Sequence, residues 1–275
     1  MQKIKKILFT LVLVVLFSSC GEYHKVLNKG LNAERYKLAV RLYKEANYKK
    51  AIPLFEKLIG PYAGKPQMER IQYMIAKSNY EVEDYSLAAY HFSKFINNFP
   101  KSSKIEEAAF LEAKSYYLGS PKYTLDQQDT DKALSAFQNY IDTYPNSEFI
   151  KNADKVYKDL TTKLEKKDFE VAKQYYHVEK YRAAIVAFDT FNEEHLGSVF
   201  KEDALYYKFK ASYELGMKSI LTKKEGRLLD AQSAYNKLKK SFPESKKMKE
   251  ADVMNKRLEK ALKETKEEFE KIVQK

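Results

Sequence analysis

The side chains best suited to chemistry form five rows, in which an aromatic residue is followed by lysine or valine at the fourth position and tyrosine at the seventh. Positions i, i+4 and i+7 lie on one face of an α-helix. Tyrosine presents a rigid apolar ring with a polar tip, and lysine presents a positive charge, so such rows can recognise a peptide non-covalently. The rows are Tyr36/Val40/Tyr43, Tyr73/Lys77/Tyr80, Phe110/Lys114/Tyr117, Phe169/Lys173/Tyr176 and Tyr206/Lys210/Tyr213.

A covalent modification is indicated at the single cysteine, Cys20. Three lysines within the first six residues precede an apolar run from Ile7 to Phe17, which is shorter than the roughly 20 residues of a membrane-spanning helix. Basic, apolar and small residues in this order are typical of a secretory signal, and small residues directly before the cysteine resemble a bacterial lipobox. We predict a covalent lipid on Cys20 that anchors the protein to a membrane, with an ordinary signal peptide as the alternative. Gly21, in place of aspartate, favours the outer membrane of a Gram-negative bacterium, with the protein facing the periplasm.

Catalytic signatures are missing from the sequence, which contains no GxSxG, HExxH, Walker or GxGxxG motif. The sole cysteine is assigned to lipid, and the carboxylates alternate with lysines at helical spacing, which is typical of solvated helix faces. We therefore predict a protein that is not an enzyme and that holds no cofactor or metal apart from the lipid on Cys20. The scattered histidines are His24, His91, His177 and His195.

Composition and charge limit the fold and the partners. Only 8 glycines and 7 prolines occur in 275 residues, which excludes collagen-like chains and disfavours an all-β protein rich in tight turns. A hydrophobic content of 44% can fill a core, so global disorder is excluded. The net charge of +12 raises nucleic acid and anionic lipid as partners. Lysines spread over nearly every predicted helix, without one arginine-rich patch, argue against a nucleic-acid interface.

The five rows recur at intervals of 37 residues, except for one interval of 59. A second element follows the rows, as in Tyr48/Ala51/Phe55 and Tyr85/Ala88/Phe92, where the alanine lets two paired helices approach closely. Helix–turn–helix units with small residues at fixed places and a period of about 34 predict an all-α tetratricopeptide-repeat solenoid. In this repeat class the first helix of each pair lines the concave face.

The domain organisation follows from the repeat. We predict a signal peptide over 1–19, a lipidated linker over 20–32, repeats within 33–243 and a charged C-terminal capping helix over 244–275. Residues 119–131 and 217–226 are predicted to lengthen the loops within repeats three and five, and residues 148–177 to form one long helix. Ser102, Ser147 and Ser245 are predicted as helix N-caps. The predicted repeats cover about 33–62, 69–100, 102–145, 165–196 and 198–243.

The members of a row are predicted to differ in role. The first aromatic is expected to pack chiefly between helices, while the lysine and the final tyrosine are expected to face the groove. The alternative is that every ring packs inside the repeats and every lysine is solvated. The candidate partner-binding residues are Tyr43, Tyr73, Lys77, Tyr80, Phe110, Lys114, Tyr117, Lys173, Tyr176, Lys210 and Tyr213.

These motifs resemble the BamD, or ComL-like, family of outer-membrane-assembly lipoproteins. The resemblance covers about 30–245 and rests on the lipobox, the five repeats, the YPNSEF turn that begins at Tyr144, and the VAKQYY segment that begins at Val171. It implies a lipid-anchored periplasmic scaffold of the machinery that inserts β-barrel proteins. The implied partners are the central barrel subunit, accessory lipoproteins and the C-terminal segments of unfolded barrel proteins. The long charged tail over 244–275 departs from the family, as does the Glu-Glu-His-Leu end of repeat four.

The sequence leaves two other functions open. An envelope adaptor for peptidoglycan or cell-division machinery can be built from the same repeats. A basic nucleic-acid-binding protein is suggested by the net charge, although the distribution of the lysines argues against it.

Overall fold

The computed structural model describes residues 22–273, so Cys20 and the predicted signal peptide lie outside the described residues. Over those residues the chain forms twelve α-helices and no strand, which confirms the predicted all-α class. The first helix, α1, covers 22–29. The others are α2 Asn32–Lys44, α3 Tyr48–Glu56, α4 Gln67–Glu81, α5 Tyr85–Asn98, α6 Ile105–Gly119, α7 Gln128–Thr143, α8 Ile150–His177, α9 Tyr181–Glu194, α10 Lys201–Met217, α11 Leu221–Ser241 and α12 Met248–Val273.

Consecutive helices pack against each other, as expected for a tetratricopeptide-like solenoid. The alanines of the repeat pattern are fully buried, because a methyl group is all that fits where two helices come close. Those in the row-bearing helices are Ala39, Ala76, Ala113 and Ala172, and those in the partner helices are Ala51, Ala88, Ala133, Ala184 and Ala231. The repeated small residues therefore mark the helix contacts, as predicted.

The contacts divide the chain into two compact units, each with its own core. The first unit comprises the described residues up to Pro121 together with Asp126–Tyr157, and its core includes Phe55 and Ile75. The second comprises Lys122–Leu125 together with the described residues from Lys158 onward. Its core has one cluster around Phe188 and another around Phe209.

Two predicted loops are shorter than the sequence suggested. Helix α7 already begins at Gln128 and α11 at Leu221, so the connections cover only 120–127 and 218–220. The stretch Leu221–Glu225 contains good helix formers, which extend α11 toward its N-terminus. Gly216 lets α11 approach α10, because a Cβ there would lie 2.8 Å from Leu228 Cδ2 and 3.3 Å from the Arg227 carbonyl carbon. The long helix predicted over 148–177 is observed as α8.

The prediction that Ser102, Ser147 and Ser245 are N-caps is wrong. Helices α6, α8 and α12 each begin three residues after their serine. Each hydroxyl instead accepts the N–H two residues later, at 3.0–3.1 Å, and so closes the turn before the helix. Ser102 also donates to Glu69 on α4 at 2.6 Å, and Ser245 donates to Glu202 on α10 at 2.7 Å. The first bond joins the start of α4 to the turn before α6, and the second joins the start of α10 to the turn before the C-terminal helix α12.

Repeat four ends differently in sequence but not in backbone. His195 follows α9 with φ −118° and ψ 60°, close to the −131° and 60° of Phe99 after α5. The imidazole packs on Phe191 at 4.8 Å, as Phe99 packs on Phe95 at 5.5 Å, and its Nε2 lies 3.0 Å from the Asp168 carboxylate. Histidine therefore takes the place that an aromatic residue has elsewhere.

Three turns between paired helices carry a residue other than glycine in the left-handed region, namely Ala46, Glu83 and Glu179 with φ of 55°, 64° and 58°. At the first of them, Asn47 N–H donates to Leu42 O at 2.8 Å and Ala46 N–H donates to Tyr43 O at 3.1 Å. Such a turn ends a helix most favourably with glycine, because a Cβ there costs about 1–2 kcal/mol.

Replacing Ala46 with glycine is expected to stabilise the protein by about 0.5–1 kcal/mol, since the strain removed exceeds the chain entropy that glycine adds to the unfolded state. Ala33→Gly is the matched control, because Ala33 lies on the exposed face of α2 with ordinary helical geometry. The control is expected to lose stability, by less than the roughly 0.5–1 kcal/mol that glycine costs in the middle of a helix, because Ala33 lies in the first turn of α2. Urea unfolding followed by circular dichroism measures the stability of both variants. A loss of stability in Ala46→Gly would contradict the inference that the backbone of Ala46 is strained.

Candidate recognition rows

The first unit carries three of the rows on α2, α4 and α6. Tyr43, Tyr73, Tyr80 and Tyr117 are half-buried, so each has one face packed and another accessible. Phe110 does not fit its candidate role, because only 5% of it is exposed. Its ring stacks on Phe149 at 4.7 Å and packs inside the unit.

The rows of repeats two and three meet at Tyr80, as their spacing predicted. Lys77 Nζ lies 5.0 Å and Lys114 Nζ lies 5.9 Å from the centroid of the Tyr80 ring, a distance at which a cation is attracted to the ring face. Lys77 is also paired with Glu81 at 2.8 Å. Among the described residues Lys114 has no acidic partner within ion-pair distance, so its charge is available at the half-exposed ring.

Carboxylates also lie on the surface formed by the rows of the first unit, and the sequence did not predict them there. The Tyr73 hydroxyl is hydrogen-bonded to Glu107, and burial together with this bond raises the pKa of Tyr73. Burial acts to raise the pKa of Glu107, but its hydrogen bonds with Lys104 and Tyr73 outweigh burial and lower it. Burial, with smaller contributions from Tyr48 and Glu107, raises the pKa of Tyr43 to about 12. The surface is therefore mixed in charge, and its burial keeps Tyr43 and Tyr73 neutral.

Tyr43, Tyr80 and Tyr176 share a contact that sequence reasoning missed. Each packs on the tyrosine that begins the next helix, with ring centroids 5.5 Å apart for Tyr43 and Tyr48 and 5.9 Å apart in the other two pairs. The partners stand five positions later along the chain in every case, which is a signal that the sequence offered. These rings close the turns of repeats one, two and four. The other two partners are Tyr85 and Tyr181.

In the second unit the rows lie on α8 and α10, and both of their lysines are paired with a glutamate. Lys173 lies 3.5 Å from Glu170, and Lys210 lies 3.0 Å from Glu250 of α12. Burial acts to lower the pKa of Lys210, but the hydrogen bond to Glu250 and the neighbouring Tyr176 outweigh it and raise the pKa. Residues 40 positions apart make this second pair, so no repeat spacing foretold it.

One aromatic residue of the second unit differs from its predicted role, and another was not predicted. Tyr213 was a candidate for partner binding, but it is only 8% exposed and belongs to the core cluster of α10, α11 and α12, so it packs internally. Tyr176 remains half-buried. Tyr207 was missed, although its ring packs on Tyr176 at 5.5 Å and lies 5.6 Å from Lys173 Nζ. The corresponding positions of repeats two and three hold Met74 and Leu111, so no recurrence marked it.

Two further observations concern the described part of the chain. No group of three or more histidines, cysteines or carboxylates is placed there to hold a metal ion. None of its helices has the length and apolar character that crossing a bilayer requires.

Comparison with known proteins identifies the family. No curated protein matches the sequence significantly. The family model YfiO, described as outer membrane lipoprotein, matches residues 29–228. The match begins before α2 and ends within α11, so it contains all five rows. The resemblance seen in the sequence is confirmed, and this chain belongs to the YfiO family of outer membrane lipoproteins, which is the BamD family.

Proposed function

We propose that this protein is a non-catalytic scaffold of the machinery that assembles β-barrel proteins, held on the periplasmic side of the outer membrane by a lipid on Cys20. Its proposed partners are the central barrel subunit, accessory lipoproteins and the C-terminal segments of unfolded barrel proteins. Membership of a family of outer membrane lipoproteins and the helical repeat fold support the proposal.

The observation that carries the proposal is the meeting of two lysines at the half-exposed ring of Tyr80. A barrel protein's targeting strand, by the family resemblance, ends in an aromatic residue and a free carboxylate. The accessible faces of Tyr80 and Tyr117 suit the aromatic residue. Lys114, which has no acidic partner among the described residues, suits the carboxylate.

Removing the two rings is expected to weaken binding of a C-terminal barrel peptide more than removing the two charges. An exposed ion pair contributes only about 0–1 kcal/mol, whereas truncating a ring that a partner covers costs about 2 kcal/mol or more. Fluorescence anisotropy with a labelled peptide compares Tyr80→Ala/Tyr117→Ala with Lys77→Ala/Lys114→Ala. Higher salt is expected to weaken the wild type modestly.

The matched control is Tyr90→Ala, because Tyr90 lies 55% exposed on α5 and belongs to no row. Unchanged peptide affinity in the double tyrosine variant, with an unchanged circular dichroism spectrum, would contradict peptide binding by these rings. It would favour the alternative that they only pack inside the repeats. Affinity purification from detergent-solubilised outer membrane tests the machinery itself. Recovery of the central barrel subunit supports the proposal, and recovery of peptidoglycan or cell-division proteins instead would favour the envelope-adaptor alternative.

A further inference from the structure

A cleft of about 740 Å³ lies between α1 and α2, in the first unit and outside the rows. Five cationic side chains and two carboxylates line it, so its walls carry a surplus of positive charge. All seven of these residues are exposed. The cations are Lys25, Lys29, Lys37, Arg41 and Lys44, and the carboxylates are Glu22 and Glu34.

Most of these cations are not neutralised within the described residues. Only Arg41 has an ion-pair partner there, Glu45, at 4.0 Å and with both side chains more than half exposed. The Glu34 carboxylate accepts the Leu31 N–H at 2.9 Å and so serves the start of α2. The four lysines make no ion pair over residues 22–273, whereas Lys77, Lys173 and Lys210 of the rows are each paired with a glutamate.

The floor of the cleft is apolar. Val26, Leu38 and Val40 line it and are half-buried. Leu31, in the turn between the two helices, is 72% exposed. An apolar floor below a rim of lysines and arginine matches the boundary between headgroups and acyl chains, where basic side chains meet phosphates and aliphatic groups meet lipid.

The shape of the cleft depends on Gly30, which ends α1. Its N–H donates to Val26 O at 3.0 Å. A Cβ at Gly30 would lie 2.6 Å from that carbonyl oxygen and 2.9 Å from Val26 Cα, closer than real side chains approach backbone. Only glycine therefore allows the bend that sets α1 against α2.

The cleft also lies next to the proposed anchor. Glu22, in its lining, is two residues after Cys20, so an extended chain separates them by at most about 7 Å. That distance is within the screening length of about 8 Å at physiological salt. A lipid on Cys20 thus brings the cationic cleft to the membrane surface.

We propose that the α1–α2 cleft binds the headgroups of anionic phospholipids in the leaflet that holds the anchor. The position of the cleft at the membrane rests on the lipid anchor of the proposed function, whereas its affinity for anionic lipid does not. Acyl chains hold the protein in the membrane, and the cleft fixes which part of the repeat fold faces the surface.

The test uses the chain from Gly21 onward, which contains every described helix and carries no lipid. Co-sedimentation is measured with vesicles of phosphatidylcholine alone and of phosphatidylcholine mixed with phosphatidylglycerol. We expect binding to the anionic vesicles only, and its loss at high salt. The affinity for anionic vesicles is expected to fall by at least about tenfold when four basic residues of the cleft are replaced, because each basic residue near an anionic surface contributes to the attraction. This variant is Lys25→Gln/Lys29→Gln/Lys37→Gln/Arg41→Gln.

The matched control removes the same charge from exposed lysines elsewhere. These lysines also lack an ion pair over residues 22–273, and the control is expected to change binding less than about twofold. Equal binding to both kinds of vesicle, or an equal loss in both variants, would overturn the proposal. The control substitutions are Lys246→Gln, Lys249→Gln, Lys256→Gln and Lys263→Gln.

A second measurement uses the full lipoprotein reconstituted in the same two kinds of vesicle. Hydrogen exchange of α1 and α2 is expected to be slower in the anionic vesicles, and unchanged exchange would contradict the proposal. If Cys20 carries no lipid, the anchor of the proposed function fails. The chain from Gly21 onward is still expected to bind anionic vesicles in that case. Failure of the proposed function is therefore distinguishable from failure of the cleft proposal.

Discussion

Ala184→Leu is expected to lower the free energy of unfolding of the second unit by about 1–3 kcal/mol, because it adds three carbon atoms where no space exists. Ala184 is fully buried in the cluster that contains Ala172 of α8 and Phe188 of α9. The larger side chain has to push α8 and α9 apart or leave its preferred rotamer, and either change reduces the packing of Phe188.

The neighbouring substitution Ala183→Leu controls for the effect of leucine on the helix itself. Ala183 lies on α9 and is exposed, so its change is expected to stay within about 0.5 kcal/mol. Thermal and urea unfolding measure both variants. Equal stability of Ala184→Leu and wild type would disprove the inferred helix contact.

The damage is expected to be local, since units of a repeat fold interact mainly with their nearest neighbours. Hydrogen exchange resolved by segment should show faster exchange in α8 and α9 of Ala184→Leu, with α4 and α5 unchanged. Ala88→Leu makes the reciprocal experiment in the first unit, where Ala88 is equally buried. Faster exchange throughout the chain in either variant would refute independent behaviour of the repeats.

Cys20→Ala is expected to abolish attachment of lipid completely, because the thiol is the only group of this chain to which a lipobox enzyme can add a diacylglyceryl group. Cells grown with a fatty-acid analogue provide the measurement, since the wild-type band carries the analogue and the variant band does not. Ser19→Ala is the matched control, because alanine keeps a small residue before the cysteine and should leave labelling unchanged.

Either of two results would contradict the anchor. Label retained by Cys20→Ala would place the acyl group elsewhere, and an unlabelled wild type would favour the ordinary signal peptide. Stable anchoring needs more than one acyl chain or a second attraction to the membrane. The cationic cleft between α1 and α2 supplies a second attraction of this kind, which its own vesicle experiment tests.

The sequence by itself determined the helices, their pairing and the positions of the rows. Within one helix the geometry is fixed at about 3.6 residues per turn, so a repeated pattern specifies a face without further information. Ala76 and Ala113 recur one position before the lysine of their rows, which predicted that both face a neighbouring helix, and both are fully buried. The regular spacing of repeats two and three likewise sufficed to bring Lys77 and Lys114 to the ring of Tyr80.

Only the tertiary structure decided which row members remain accessible and which side chains of the rows meet a carboxylate of another helix. Phe110 is covered by Phe149, and Tyr213 is covered by the packing of α10, α11 and α12, although both stand in rows like the half-buried Tyr73 and Tyr176. Glu107 and Glu250 reach their partners from a different helix.

The physical reason is that contacts between helices depend on how the helices cross and how far each extends. Many side chains set the crossing together, so no spacing along the chain encodes it. The bend at Gly30 shows the same limit, because the clash of a Cβ with Val26 exists only once α1 has formed and turned into α2. Periodicity specifies the face of each helix, and packing specifies what that face meets.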